Sequence, residues 1–181
     1  MAATNELLIQ KVFQEMLKYK PSMQKMLVAD DEEEESLDPR LLGDLIIRSF
    51  PWPIGVELRR LFSASTRQLD RMRLDQIFKT IERSMQFIGF VMLCQLWKDT
   101  KEKKLVLPDS FKKEFQDRIL VLTMGNFAWL IRAIGTFMLE KSLPWYLPEM
   151  GENFDKKFYA ALDFWVPERN EIGHYQINLT N

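Results

Sequence analysis

The chain has 181 residues, of which 46% are hydrophobic and 12% are aromatic, and its net charge is −1. This composition excludes an intrinsically disordered chain and favours one globular domain, or one domain with an extension. One cysteine and one histidine exclude an internal disulfide and a zinc site built from several such ligands. The start lacks a secretory signal, and charges interrupt the apolar stretches too soon for a membrane span. We therefore predict a cytoplasmic protein without membrane association.

The first predicted element is an amphipathic helix from Asn5 to Tyr19, which ends at Pro21. Its apolar stripe either completes the core or binds a partner. Six consecutive acids, Asp30 to Glu35, then predict an open, solvated linker, because like charges repel one another. An alternative role for this run is to mimic nucleic-acid phosphate and shield a basic site. We predict an N-terminal helical extension (1–29), an acidic linker (30–36) and a helical bundle (37–181), in a chain that is either complete or a fragment of a longer protein.

Helix starts are well marked in the rest of the chain. Asp38 can accept the free amides of a first turn that contains Pro39. Thr123 is predicted to begin a later helix in the same way, and Asp109 or Ser110 to begin another. Helical spacing of apolar residues gives the remaining limits, and no segment alternates with the two-residue period of a strand, so we predict an all-α fold. The predicted helices after the linker are Arg40–Ser49, Val56–Phe62, Gln68–Asp99, Phe111–Leu120, Met124–Lys141 and Phe154–Val166.

A basic region lies in the middle of the chain. Between Arg59 and Arg83 there are seven basic residues and three acidic ones. Such an excess suits the binding of phosphate groups, although it is also typical of a solvated helix face. The candidate RNA-binding residues are Arg59, Arg60, Arg67, Arg71 and Arg73.

The only histidine, His174, follows Arg169 and Asn170 near the end of the chain. Histidine is the side chain best suited to proton transfer near neutral pH, so we predict that any acid–base chemistry occurs here. An arginine suits a phosphate in transit, and an asparagine amide can orient the histidine or the phosphate. RNA supplies its own nucleophile, the 2′-hydroxyl. One histidine cannot easily remove that proton and protonate the leaving oxygen in the same step, whereas a symmetric dimer supplies two.

The segment Arg169-Asn170-Glu171-Ile172-Gly173-His174 resembles the signature of the HEPN family, an arginine and a polar residue followed by a histidine after four to six intervening residues. The predicted helix Phe154–Val166 is similar to the bundle helix that precedes the motif in that family. The resemblance implies a small α-helical bundle, a homodimer that brings two motifs into one cleft, and metal-independent RNA cleavage without a cofactor. Many relatives belong to toxin or phage-defence systems, and others are nucleotide-binding or accessory modules without known cleavage.

We therefore expect an all-α bundle of the HEPN type that cleaves RNA through 2′-hydroxyl attack. In this interpretation Arg169, Asn170 and His174 are catalytic, the five central arginines hold the RNA, and no metal or cofactor takes part. A toxin or phage-defence setting adds an antitoxin or regulatory protein as a partner. The alternative is a non-catalytic helical domain of a larger protein, for nucleotide binding, sensing or protein interaction.

Overall fold

The fold is taken from a computed structural model, which describes residues 4–25, 38–102 and 105–179, and the side chains of 5–24, 38–102 and 105–172. These residues form α-helices and one short 3-10 turn, Ala64–Thr66, and they contain no strand, which confirms the predicted all-α class. The acidic run Asp30 to Glu35 lies outside the described residues. Within the described ranges, every helix is too short or too polar to span a bilayer. The helices are α1 (Thr4–Tyr19), α2 (Ser22–Lys25), α3 (Pro39–Ser49), α4 (Trp52–Leu61), α5 (Arg71–Glu102), α6 (Asp109–Ile119), α7 (Met124–Glu140), α8 (Pro148–Asn153) and α9 (Lys156–Leu179).

The chain divides into two compact units, 1–83 and 84–181, and the boundary falls within α5. In unit 1, α3 packs on both α1 and α4. The apolar stripe of α1 faces this core, with Ile9 and Phe13 buried, whereas Leu7 is exposed. The first predicted helix is therefore part of the packed core of unit 1. The other buried apolar side chains of unit 1 are Met23, Leu42, Ile46, Ile54, Leu58, Leu61 and Phe78.

Two of the predicted helix caps are confirmed. The Asp38 side chain accepts a hydrogen bond from the Arg40 amide at 2.8 Å, and the Thr123 side chain accepts one from the Asn126 amide at 3.2 Å. The prediction that Asp109 or Ser110 caps α6 is wrong, because Pro108 occupies the cap position and makes no side-chain bond there. Asp109 is the first residue of α6, where its negative charge still complements the helix N-terminus.

In unit 2 the central element is α7, an apolar helix with buried residues along most of its length. Phe127 and Leu130 of α7 pack beside Gly89 of α5. The buried side chain of Gln95 on α5 fixes the loop after α7, donating to the Pro144 carbonyl at 2.7 Å and accepting from the Tyr146 amide at 2.8 Å. The other buried apolar residues of unit 2 are Met85, Met92, Leu96, Met124, Ala128, Ile131, Ile134, Phe137, Met138, Met150 and Leu162.

Helix α9 differs most from the sequence prediction. We expected a helix that ends at Val166, because Pro167 lacks an amide proton and its ring crowds the carbonyl four residues earlier. The helix instead continues through Pro167 to Leu179. Only one intrahelical bond is lost at a proline, so the flanking turns can keep a helical path while the Asp163 carbonyl loses its partner.

Two glycines of unit 1 give opposite predictions for the same substitution. A Cβ at Gly43 would meet Ile9 and Phe62 at 3.5 and 3.8 Å, which is ordinary contact, whereas a Cβ at Gly55 would lie 2.7 Å from the backbone oxygen of Ile47. Gly43→Ala should therefore raise the free energy of unfolding by about 0.5–1 kcal/mol, because alanine is the better helix former. Gly55→Ala should lower it by about 1–3 kcal/mol through overpacking. Urea denaturation of both variants tests the pair, and equal effects would contradict the close approach of α3 and α4.

Candidate functional site

The predicted catalytic residues all lie on α9, in unit 2. The side chains of Arg169 and Asn170 are exposed. His174 belongs to the same continuous helix, and its side chain lies outside the described residues. The motif is thus helical throughout, because α9 continues past the predicted end at Val166.

The first half of α9 is held against α7 by one arginine. Arg132 donates to the Tyr159 carbonyl at 3.0 Å and pairs with the Asp163 carboxylate at 2.5 Å, and its guanidinium lies over the Tyr159 ring. A Cβ on Gly125 would touch Val166 at 3.6 Å, so the two helices pack closely up to the turn before Pro167. The motif begins two residues after this proline, beyond the anchored part of the helix.

Helical geometry fixes how the three motif positions relate within one chain. Residues four apart lie on the same face, so positions 170 and 174 are stacked one turn apart. Positions 169 and 174 are separated by about 140° around the axis and about 7.5 Å along it. One copy of α9 therefore presents Asn170 and His174 on a shared face and Arg169 on a different one.

Arg169 has no structural partner in the described part of the chain. The acidic residues nearest to it in the sequence are Glu168 and Glu171, one and two positions away, and side chains at these spacings do not face each other on a helix. Neither pair forms, and Arg169 makes no hydrogen bond or ion pair with any other described residue. Its guanidinium is therefore available to an external anion.

The five predicted RNA-binding arginines lie in unit 1, and the structure gives them different roles. Arg60 pairs with Glu57 at 3.2 Å, and Arg71 lies 3.6 Å from Asp75. The pair of Arg71 and Asp75 joins two side chains that are each about half exposed, so it is a weak surface interaction that a phosphate could displace. Arg60 is 62% exposed, but its partner Glu57 is only 8% exposed, so Arg60 is engaged with a buried carboxylate.

Arg73 is a correction to the predicted RNA-binding set. Its side chain is only 4% exposed. The guanidinium donates to the Asn5 side-chain oxygen and, at 2.7 Å, to the Thr66 carbonyl. The Arg73 side chain holds α1 and the 3-10 turn together inside unit 1. It is therefore not accessible to RNA.

Arg59 and Arg67 lie together at a groove of about 470 Å³ in unit 1, which we call the unit 1 groove. Arg40 also lines the unit 1 groove, and it was not among the binding residues predicted from the sequence. The signal for Arg40 was its helical spacing with Gly43, Asp44 and Ile47, which places one face of α3 along the groove. The groove is lined by Asn5, Glu6, Ile9, Asp38, Pro39, Arg40, Gly43, Asp44, Ile47, Arg59, Phe62 and Arg67.

A search of the described residues found no cluster of three His, Cys, Asp or Glu side chains able to hold a metal ion. Comparison of the chain with protein-family models, with curated proteins and with solved structures gave no match.

Replacing Arg73 should show that it stabilises the fold. Arg73→Met leaves the Asn5 side-chain oxygen and the Thr66 carbonyl without their charged donor inside the protein. We expect the free energy of unfolding to fall by about 3 kcal/mol, measured by urea denaturation. Arg67→Met removes an exposed arginine from the same unit and should change it by no more than about 0.5 kcal/mol. Equal losses in the two variants would contradict the buried role of Arg73.

Tyr159 predicts a pH dependence of stability. Burial raises the pKa of Tyr159 above its ordinary value, and the nearby Arg132 offsets part of this rise. The folded state therefore keeps the phenol proton at a pH where the unfolded chain loses it, so stability falls as pH rises through about 10. Tyr159→Phe should lose less stability than the wild type between about pH 9 and pH 11 in thermal unfolding. Tyr146→Phe, which removes an exposed tyrosine of unit 2, is the control and should follow the wild type.

Proposed function

We propose that this protein is a metal-independent endoribonuclease of the HEPN type, with Arg169, Asn170 and His174 as catalytic residues. The observation that carries the proposal is the exposed guanidinium of Arg169, which pairs with no residue that the structure describes and lies on the helix that bears the only histidine of the sequence. Neither glutamate beside it lies at the three- or four-residue spacing at which side chains pair on a helix, so neither competes with an external anion for the guanidinium. The exposed guanidinium of Arg169 suits a phosphate group whose P–O bonds are forming and breaking.

The reaction requires two proton transfers and one displacement at phosphorus. A neutral His174 removes the proton from the ribose 2′-hydroxyl, and the oxygen attacks the adjacent phosphorus. The bond to the 5′-oxygen breaks, and that oxygen takes a proton from a histidinium. The products are a 2′,3′-cyclic phosphate and a 5′-hydroxyl end. Arg169 stabilises the extra negative charge on the phosphorane, and Asn170, one turn before His174, orients the imidazole.

The helical geometry of the motif supports a homodimer. Within one copy of α9, positions 169 and 174 lie on different faces of the helix. Two copies of α9 that meet at a two-fold axis would bring an arginine of one copy towards the histidine of the other, and would supply both a base and an acid. Dimerisation is thus part of the proposed mechanism.

We further propose that the activity serves a toxin or phage-defence system, in which an antitoxin or regulatory protein controls it. This part of the proposal rests on the motif resemblance alone.

An RNA-cleavage assay in the presence of EDTA tests the proposal. The wild type should cleave a single-stranded RNA and leave 2′,3′-cyclic phosphate ends. His174→Ala should reduce the rate by about 10²-fold or more, through loss of proton transfer. Arg169→Ala should reduce it by a similar factor, through loss of charge stabilisation. Lys157→Ala removes an exposed positive charge from the same helix and should leave the rate unchanged.

Three results would contradict the assignment: equal rates in the wild type and both motif variants, cleavage that EDTA abolishes, or light scattering that shows a monomer at a concentration where RNA is cleaved. The unfolding midpoint of each variant should match that of the wild type, since the substituted side chains are exposed or lie beyond the anchored half of α9.

A further inference from the structure

The unit 1 groove is a second candidate site, separate from the motif on α9. Its volume of about 470 Å³ falls within the range of small-molecule sites. One wall is the face of α3 that carries Arg40, Asp44 and Ile47, and another is the start of α1. The C-terminal end of α4 and the residues after it add Arg59, Phe62 and Arg67.

The charged side chains of the groove do not neutralise one another. Arg40, Arg59 and Arg67 use their guanidinium groups in no hydrogen bond or ion pair with any described residue, and the same holds for the carboxylates of Glu6 and Asp44. Arg40 and Asp44 are four residues apart on α3, a spacing that allows an ion pair, yet none forms. Opposite charges that share a groove and remain unpaired provide donors and acceptors for a ligand.

The charges of the groove limit the ligand class. Three arginines and three acids, Glu6, Asp38 and Asp44, line it, so the lining carries no net charge. Several anionic groups placed together inside the groove would meet as much repulsion as attraction. The ligand that fits has one anionic group for the guanidinium forks and hydroxyl donors for a carboxylate. It also has an apolar face for the side chains that form the rest of the wall, such as Ile47 and Phe62.

We propose that the unit 1 groove binds one ribonucleoside monophosphate unit. Arg59 and Arg67 hold the phosphate, since guanidinium groups bind phosphate oxygens in pairs. Asp44 accepts a hydrogen bond from the ribose 2′-hydroxyl. The base packs against Phe62, because an aromatic ring stacks on any base. The source of this unit is either a free mononucleotide or one nucleotide of an RNA strand, and this proposal does not depend on catalysis by α9.

Calorimetric titration with each of the four ribonucleoside 5′-monophosphates tests the site. The nucleotide that binds most tightly should lose about tenfold in affinity with Arg59→Gln or Arg67→Gln. Arg48→Gln is the matched control, because Arg48 is an exposed arginine of α3 outside the groove, and it should bind as the wild type does. The corresponding triphosphate should bind no more tightly than the monophosphate.

The contact with the ribose is tested by comparing the affinities for a ribonucleotide and its 2′-deoxy analogue. The wild type should bind the ribonucleotide about fivefold more tightly than its 2′-deoxy analogue, through one hydrogen bond to the sugar. Asp44→Ala removes the acceptor, so it should abolish this preference and leave the affinity for the deoxy analogue unchanged. A merely structural aspartate would change both affinities together.

A short RNA oligonucleotide distinguishes the two sources. It is titrated into His174→Ala protein, so that cleavage cannot consume it. Oligonucleotide affinity well above that of the mononucleotide, and lost with Arg67→Gln, identifies an RNA strand, whereas equal affinities identify a free nucleotide. The proposal is overturned if neither ligand binds, if the arginine variants bind as well as Arg48→Gln, or if the triphosphate binds more tightly. If the wild type binds nucleotide in the groove but does not cleave RNA, the catalytic role proposed for α9 is rejected and the binding role of the groove is retained.

Discussion

The buried guanidinium of Arg73 is the interaction on which unit 1 depends. It bonds Asn5 at the start of α1 and the Thr66 carbonyl after α4, two segments that lie far apart in the chain. Asn5 also donates to the Ser63 carbonyl at 3.2 Å, which makes a second link between the same segments. The next residues in the chain after these anchors are Glu6 and Arg67, and both line the unit 1 groove. A cation inside the protein thus sets the spacing of charged groups on its surface, and desolvation makes any looser arrangement unfavourable.

Unit 2 fixes its helices in a different way. Its centre is the apolar helix α7, and polar contacts such as those of Gln95 and Arg132 attach the neighbouring segments at its edges. The Arg132 contacts stop at Asp163, one turn before Pro167. The contacts described between α7 and α9 involve the first half of α9, and the exposed side chains of Arg169 and Asn170 lie in its second half. The side chains of Arg169 and Asn170 are thus accessible to another molecule, as the proposed site shared between two copies requires.

Local signals in the sequence were sufficient for much of the fold. Asp38 and Thr123 were identified as helix caps because a cap depends on bonds within four residues of it. The burial of Arg73 could not be predicted in this way, since its partners lie 68 and 7 residues away and only tertiary packing brings them together. Of the two candidate sites, the motif on α9 was visible as a short pattern around one histidine. The unit 1 groove could be predicted only in part. Arg59 and Arg67 were candidates from the sequence, but Arg40 joins them only through the packing of α1, α3 and α4. The path of α9 across Pro167 also depends on neighbours, because a proline ends an isolated helix more readily than a packed one.

The contact at Gly55 bears on how distant relatives of this chain could be recognised. The α4 backbone lies so close to the Ile47 carbonyl that any side chain at position 55 would collide with it. Surface arginines can drift between positions during evolution and still bind phosphate, whereas a glycine at a helix crossing has no substitute of similar shape. Relatives of unit 1 should therefore share three residues: a glycine on α4, an asparagine at the start of α1, and an arginine on α5 that bonds this asparagine. A sequence search that gives these structural positions more weight than the exposed charged positions would recognise relatives that keep the fold but differ in function.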